Sequence, residues 1–150
     1  MLPEFSRLSL SAIGLLFGLA TGAAHAAGAL AIGETNDVSK DGYAYGNAVN
    51  ARSRDEATQL ALERCQNYQG APEAVKQCKV VTSFLRECYA IALDPEAGTP
   101  GAGWAIGVNL EAARKGAVAA CEKTAGPGRQ GKCKVDSSFC DRNDSGVDKR

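Results

Sequence analysis

The stretch Cys78-Lys79-Val80-Val81-Thr82-Ser83-Phe84 returns later in the chain as Cys133-Lys134-Val135-Asp136-Ser137-Ser138-Phe139, and that recurrence decides the fold. Ahead of each copy a helical pattern ends at a cysteine, Cys65 in the first pass and Cys121 in the second. Ahead of the helices lie residues 42–47 (GYAYGN) and 103–108 (GWAIGV). Ahead of those stand the apolar runs 28–33 (GALAIG) and 88–93 (CYAIAL). Each half reads strand, strand, helix, strand, over residues 28–87 and 88–140. The pattern predicts an α+β domain of two pseudo-symmetric halves, an antiparallel sheet with two helices packed on one face. Trp104 then stands at the position equivalent to Tyr43.

The helices carry their own signals. Ser53-Arg54-Asp55-Glu56 is a capping box with Ser53 as N-cap, and Ala57, Leu60, Ala61 and Cys65 recur at three- and four-residue steps. Asn109 caps the second helix, which buries Ala113, Ala117, Ala120 and Cys121. Alanines at these positions let a helix lie close on a sheet. Lys79 and Lys134, each beside a cysteine, give their strands a solvent-facing side.

The chain has six cysteines and one histidine, His25. Repeat logic pairs Cys65 with Cys78 and Cys121 with Cys133, leaving Cys88 and Cys140 to join the halves. Exchange of the two helix-to-strand pairs between halves is equally symmetric, and six cysteines permit about 15 connectivities.

Residues 1–26 have the parts of a secretory signal peptide: Arg7 in a short positive region, the apolar run LSLSAIGLLFGLA, and Ala24-His25-Ala26 as a cleavage site. The run is shorter than the roughly 20 residues that span a bilayer. Cleavage after Ala26 leaves one small domain, residues 27–140, and a polar tail, residues 141–150, expected to be disordered. It also removes His25, and with it the commonest general base and every histidine-bearing metal site. The location expected is periplasmic or secreted, where cysteines act as staples. Lys plus Arg and Asp plus Glu both number 17. That balance lacks the electrostatic footprint of a nucleic-acid binder.

The paired GYAYG and GWAIG segments, the A-x-x-x-A-x-x-x-C helix ends (Ala57, Ala61, Cys65; Ala113, Ala117, Cys121) and Cys78-Lys79-Val80-Val81 resemble the bacterial secreted family known as domain of unknown function 4189. Cys133-Lys134-Val135 and Cys140 fit the same pattern. The resemblance covers about residues 28–140. It implies export from a bacterial cell and supplies no catalytic residues. Asp136, where the first half has Val81, departs from the repeat.

Candidate chemistry is sparse. Asp141-Arg142-Asn143-Asp144-Ser145-Gly146 and Asp37-Val38-Ser39-Lys40-Asp41-Gly42 match only the first half of a calcium loop, so no metal or cofactor is expected. Gly101, Gly103 and Gly107 miss the dinucleotide fingerprint by one residue and read as sheet-packing glycines. Tyr43, Tyr45 and Trp104, with Tyr89 nearby in sequence, are candidates for an aromatic platform that binds a sugar or a partner protein, weighed against a core role for the same rings. Asp55, Glu56, Glu63, Glu87, Asp94, Glu96 and Asp136 are available for a paired-carboxylate hydrolase, but nothing in their spacing singles out two of them. The reading favours a non-catalytic binding module, such as an inhibitor or immunity-like protein acting on an envelope or extracellular partner. The alternative is a small envelope hydrolase.

Overall fold

A computed structural model describes residues 27–141; the expected signal segment and residues 142–150 of the tail lie outside the described residues. In chain order the elements are β1 (Ala27–Glu34), α1 (Val38–Asp41), β2 (Tyr43–Ala51), α2 (Arg54–Gln66), α3 (Pro72–Val75), β3 (Lys79–Phe84), β4 (Cys88–Leu93), β5 (Ala102–Gly107), α4 (Leu110–Ala125) and β6 (Lys134–Cys140).

Alternation on the two central strands builds the architecture. Strand β1 turns Ala29 and Ala31 to one side, where Ala57, Ala61 and Cys65 of α2 cover them. It turns Leu30 and Ile32 to the other side. Strand β4 repeats the arrangement, with Cys88, Ala90 and Ala92 under Ala113, Ala117 and Cys121 of α4. Tyr89 and Ile91 of β4 enter the same apolar layer as Leu30 and Ile32. The layers therefore run helix, sheet, sheet, helix.

The α+β class and the two strand-strand-helix-strand halves stand, while the sheet is divided in two. Each sheet has three antiparallel strands, in the orders β2-β1-β3 and β5-β4-β6, and each carries one long helix, with the short α3 beside α2 on the first. The physical reason is that β1 and β4 have no polar side to leave in water. Their residues are buried on both faces, so each needs a helix on one and a second sheet on the other. The halves also share an irregularity. The β1–β3 ladder passes over Val81 between Leu30 and Ala31, and the β4–β6 ladder passes over Asp136 between Ile91 and Ala92.

Both helix caps form as the sequence requires. Ser53 Oγ accepts from the Glu56 N–H (3.1 Å), and Asn109 Oδ1 accepts from the Ala112 N–H (2.8 Å). The capping box is not reciprocal, because the Glu56 carboxylate turns instead to the Arg52 N–H and guanidinium. Two one-turn helices, α1 and α3, join the strands and α2 in the first half. Asp37 caps α1, accepting from Ser39 Oγ (2.6 Å) and the Lys40 N–H (3.2 Å). The acid that resembled a calcium ligand thus has one oxygen, Oδ1, engaged twice within its own turn.

The disulfides are Cys65–Cys78, Cys121–Cys133 and Cys88–Cys140. The last does not join the halves. Cys88 and Cys140 stand directly opposite each other on β4 and β6, both in the second half.

Trp104 is partly buried in the layer between the sheets. Register gives it a different counterpart from the one expected. Gly103 stands opposite Ala92 as Gly46 stands opposite Ala31, so Trp104 corresponds to Asn47 and not to Tyr43. Trp104→Ala is expected to lower the unfolding free energy by about 3 kcal/mol, as truncation of a packed aromatic does. Urea denaturation reads this directly, and a loss under about 0.5 kcal/mol, the size of an ordinary surface change, would show that the ring does not pack.

Candidate functional site

At one edge of the sandwich, β2 of the first sheet and β6 of the second are joined across the stacked sheets by side-chain hydrogen bonds. The Tyr45 hydroxyl on β2 donates to Asp136 Oδ2 on β6. Five residues further along both strands, the Asn50 N–H donates to Asp141 Oδ1 (2.9 Å). The two sheets meet here along a polar seam. That pairing sets β3 against β5 at the opposite edge, where the corresponding residues are Val81, Trp104 and Ile106, all packed on the apolar layer.

The seam differs from its counterpart at the opposite edge. Register equates Tyr89 with Gly28, and the consequence is large. In the first half Phe84 lies over Gly28, whose missing side chain leaves room for the ring, and Phe84 is 2% exposed. In the second half the Tyr89 ring fills that space, and its counterpart aromatic Phe139 is 58% exposed, with ring centroids 6.2 Å apart. Asp136 replaces Val81, and Tyr45 stands where β5 has Ala102. Four departures from the repeat thus gather at one edge.

Around Asp136 the contacts are specific. The Tyr45 ring packs on Tyr68 with centroids 5.2 Å apart, and the Tyr89 hydroxyl shares a 2.9 Å hydrogen bond with Ser137 Oγ. Arg64 Nη1 donates to the Asn47 carbonyl (2.5 Å). Burial pushes the Tyr45 phenol far above its ordinary range, and the Asp136 carboxylate adds to the shift. Burial likewise pushes Tyr89 up to about 12 against the smaller opposing effects of Ser137 and Arg64, and raises Tyr68. These phenols stay protonated at neutral pH. They act as hydrogen-bond donors and ring surfaces, not as bases or nucleophiles.

Asp141 closes the far end of the seam. It was expected to begin the tail, yet it is fully buried, and its carboxylate also accepts from the Arg86 N–H (3.1 Å). Asn50 and Arg86 are the two non-glycine residues with positive φ among the described residues, at 58° and 55°. One carboxylate therefore holds both left-handed turns, and both its oxygens are taken.

The three rings singled out from the sequence do not form one platform. Tyr43 is buried between the sheets, Trp104 lies towards the β3/β5 edge, and Tyr45 alone reaches the seam. Tyr89, named with the platform, does lie at the seam, while Tyr68, Ser137 and Phe139 were missed. The signal available in the sequence was Asp136 in place of Val81, whereas the equivalence of Tyr89 with Gly28 follows only from the ladder register.

Of the seven carboxylates considered for catalysis, Asp94 and Glu96 are brought together, by Arg129. Its guanidinium donates to both Asp94 oxygens (2.6 and 2.7 Å) and to Glu96 (2.5 Å), tying the β4–β5 loop to the α4–β6 loop. The Arg129 contact holds the Asp94 carboxyl down to about 2 from 3.8. A depressed folded-state pKa adds stability above the unfolded value, and that contribution disappears as pH falls through about 2. Arg129→Gln is therefore expected to lower the melting temperature near neutral pH, with the gap from the parent closing between pH 4 and 2. A gap that stays constant over that range would rule out the ion pair as its source.

One other surface feature is an open concavity on α4 lined by Leu110, Glu111, Arg114, Lys115 and Val118. Arg114 is already engaged with Ser138 Oγ (2.9 Å), and among the described residues no buried side-chain nitrogen or oxygen lacks a hydrogen-bond partner. Among the described residues, no helix is long and apolar enough to cross a membrane.

No curated protein and no solved structure matches the chain. Residues 27–140 match the family model described as "Domain of unknown function (DUF4189)". The match takes in all ten elements and all six cysteines, and the chain belongs to that family.

Proposed function

We propose that the domain is an exported, non-catalytic binding module that meets a partner protein with the β2/β6 seam. The observation that carries this reading is that this edge has Asp136 where the other has the apolar Val81, and exposes Phe139 where Phe84 is buried. Two related seams built from the same plan need the same residues for packing alone. Where one of them exchanges Val for Asp and presents a phenylalanine to solvent, recognition explains the change better than stability does. A small domain with three disulfides suits an inhibitor or immunity-like role against an envelope enzyme, since a rigid surface loses little entropy on binding. The disulfides support a periplasmic or extracellular location.

A paired-carboxylate hydrolase is less well supported. A general acid needs a raised pKa, whereas Asp94 is held low by Arg129 and serves as an ion-pair partner.

Site-specific photo-crosslinking tests the reading. A benzophenone side chain at position 139 of the protein expressed in its own cells should give a discrete covalent adduct. The same group at Lys123, on α4, should not. Adducts of equal yield from both positions, or none from position 139, would overturn the seam as the recognition face.

A further inference from the structure

We infer that the β2/β6 seam receives an arginine side chain carried by an extended segment of its partner, seated on Asp136 beside the packed rings of Tyr45 and Tyr68. This rests on the seam being the recognition face, and adds the chemistry of what it recognises. Asp136 is exposed, and it takes part in none of the ion pairs among the described residues, which join Arg52 to Glu56, Lys76 to Glu73, and Arg129 to Asp94 and Glu96. Its Oδ2 accepts the Tyr45 phenol, while Oδ1 has no hydrogen-bond partner among those residues. The phenol, kept protonated by burial, fixes the carboxylate and leaves one oxygen available.

The surroundings select the ligand's chemistry. A carboxylate bordered by aromatic rings suits a guanidinium, which offers planar donors to the acid and a flat face to the rings. Arg64 supplies the seam's own positive charge, but its Nη1 is tied to the Asn47 carbonyl and its field acts at Tyr89. A cation is therefore repelled from the Tyr89 end and drawn to Asp136. A polypeptide fits better than a free amine because the site is an open edge. Strands β2 and β6 each terminate their sheet there, leaving backbone groups along which an extended segment can lie.

The test is an NMR titration of the mature, disulfide-bonded protein with the capped tripeptide Gly-Arg-Gly, and with its counterpart carrying neutral citrulline in place of arginine. The arginine peptide should shift the ring resonances of Tyr45 and Tyr68 and the Asp136 amide saturably, and binding should weaken with added salt. Asp136→Asn should weaken it about tenfold, the effect of losing one charge-assisted contact. Equal binding of the citrulline peptide, no saturable shift at the seam, or indifference to Asp136→Asn would overturn the inference. Should crosslinks from position 139 persist alongside such a result, the seam remains the recognition face and only the cationic ligand is lost. Should they also be absent, both readings fall.

Discussion

Replacing Cys88 and Cys140 together by alanine is expected to destabilise the domain by about 4 kcal/mol, the largest effect of any of the three disulfides. The bond spans 52 residues of sequence, against 13 and 12 for the other two, and loop-closure entropy grows with the length enclosed. The shorter bonds should contribute about 3 kcal/mol each. Position adds to the difference. Cys88–Cys140 fastens the end of β6 to the central strand, beside Asp141, whose carboxylate holds the turns at Asn50 and Arg86. A domain of this size has a total stability of roughly 5–15 kcal/mol, so the double variant should sit near the lower limit for folding. Urea unfolding of the three double-alanine variants gives the ranking. A Cys88/Cys140 variant losing less than the Cys65/Cys78 variant would reject it.

A side chain at Gly46 is expected to be as damaging. Helix α2 approaches β2 so closely that a Cβ at Gly46 would overlap the Ala61 carbonyl oxygen and the Cys65 nitrogen. Gly103 has the same relation to the backbone of α4 at Ala120 and Cys121. The obstruction in each case is helix backbone, which cannot swing away as a flexible side chain can. Gly46→Val and Gly103→Val should each cost more than about 3 kcal/mol, beyond the usual range for core overpacking, and displace the cysteine that ends the helix. The accessible readouts are the yield of soluble protein and the fraction with all thiols oxidised. Native yield and full oxidation in either variant would contradict the close helix approach.

Much of this fold was legible because the chain states it twice. The helix caps at Ser53 and Asn109, the alanine stripes and the cysteine spacing each follow from local chemistry, and each half repeats them. The division into two sheets was written less plainly. The runs GALAIG and CYAIAL lack a polar face, which is the mark of strands covered on both sides. That mark is easily overlooked when the residues are small. The position of Trp104 was misjudged because the GYAYG and GWAIG motifs align by sequence with a shift from the sheet register. Glycine faces the helix at 46 and at 103, and the register follows that contact rather than the motif.

The candidate site was less legible for a different reason. Its residues are far apart in sequence, and hydrogen bonding joins Tyr45 to Asp136 only once the sheets stack. Phe139 reads as a core residue because Phe84, its counterpart, is one. Only the presence of Tyr89 where the first half has Gly28 shows why the second phenylalanine is displaced to the surface. Asp136 against Val81 was the single departure visible without the structure.

If the β2/β6 seam is specialised for recognition, restoring the residue of the other half should not weaken the fold. The melting temperature of Asp136→Val is the most direct measure of this. The Tyr45 hydroxyl loses its acceptor but lies at a half-exposed edge where water can replace it, and the valine gains the apolar contacts that Val81 makes in the first half. The expected melting temperature lies within about 3 °C of the parent or above it, the range of a neutral surface substitution. A fall of about 10 °C or more would mean that Asp136 closes the sandwich as a structural latch, and would contradict the assignment of the seam to binding.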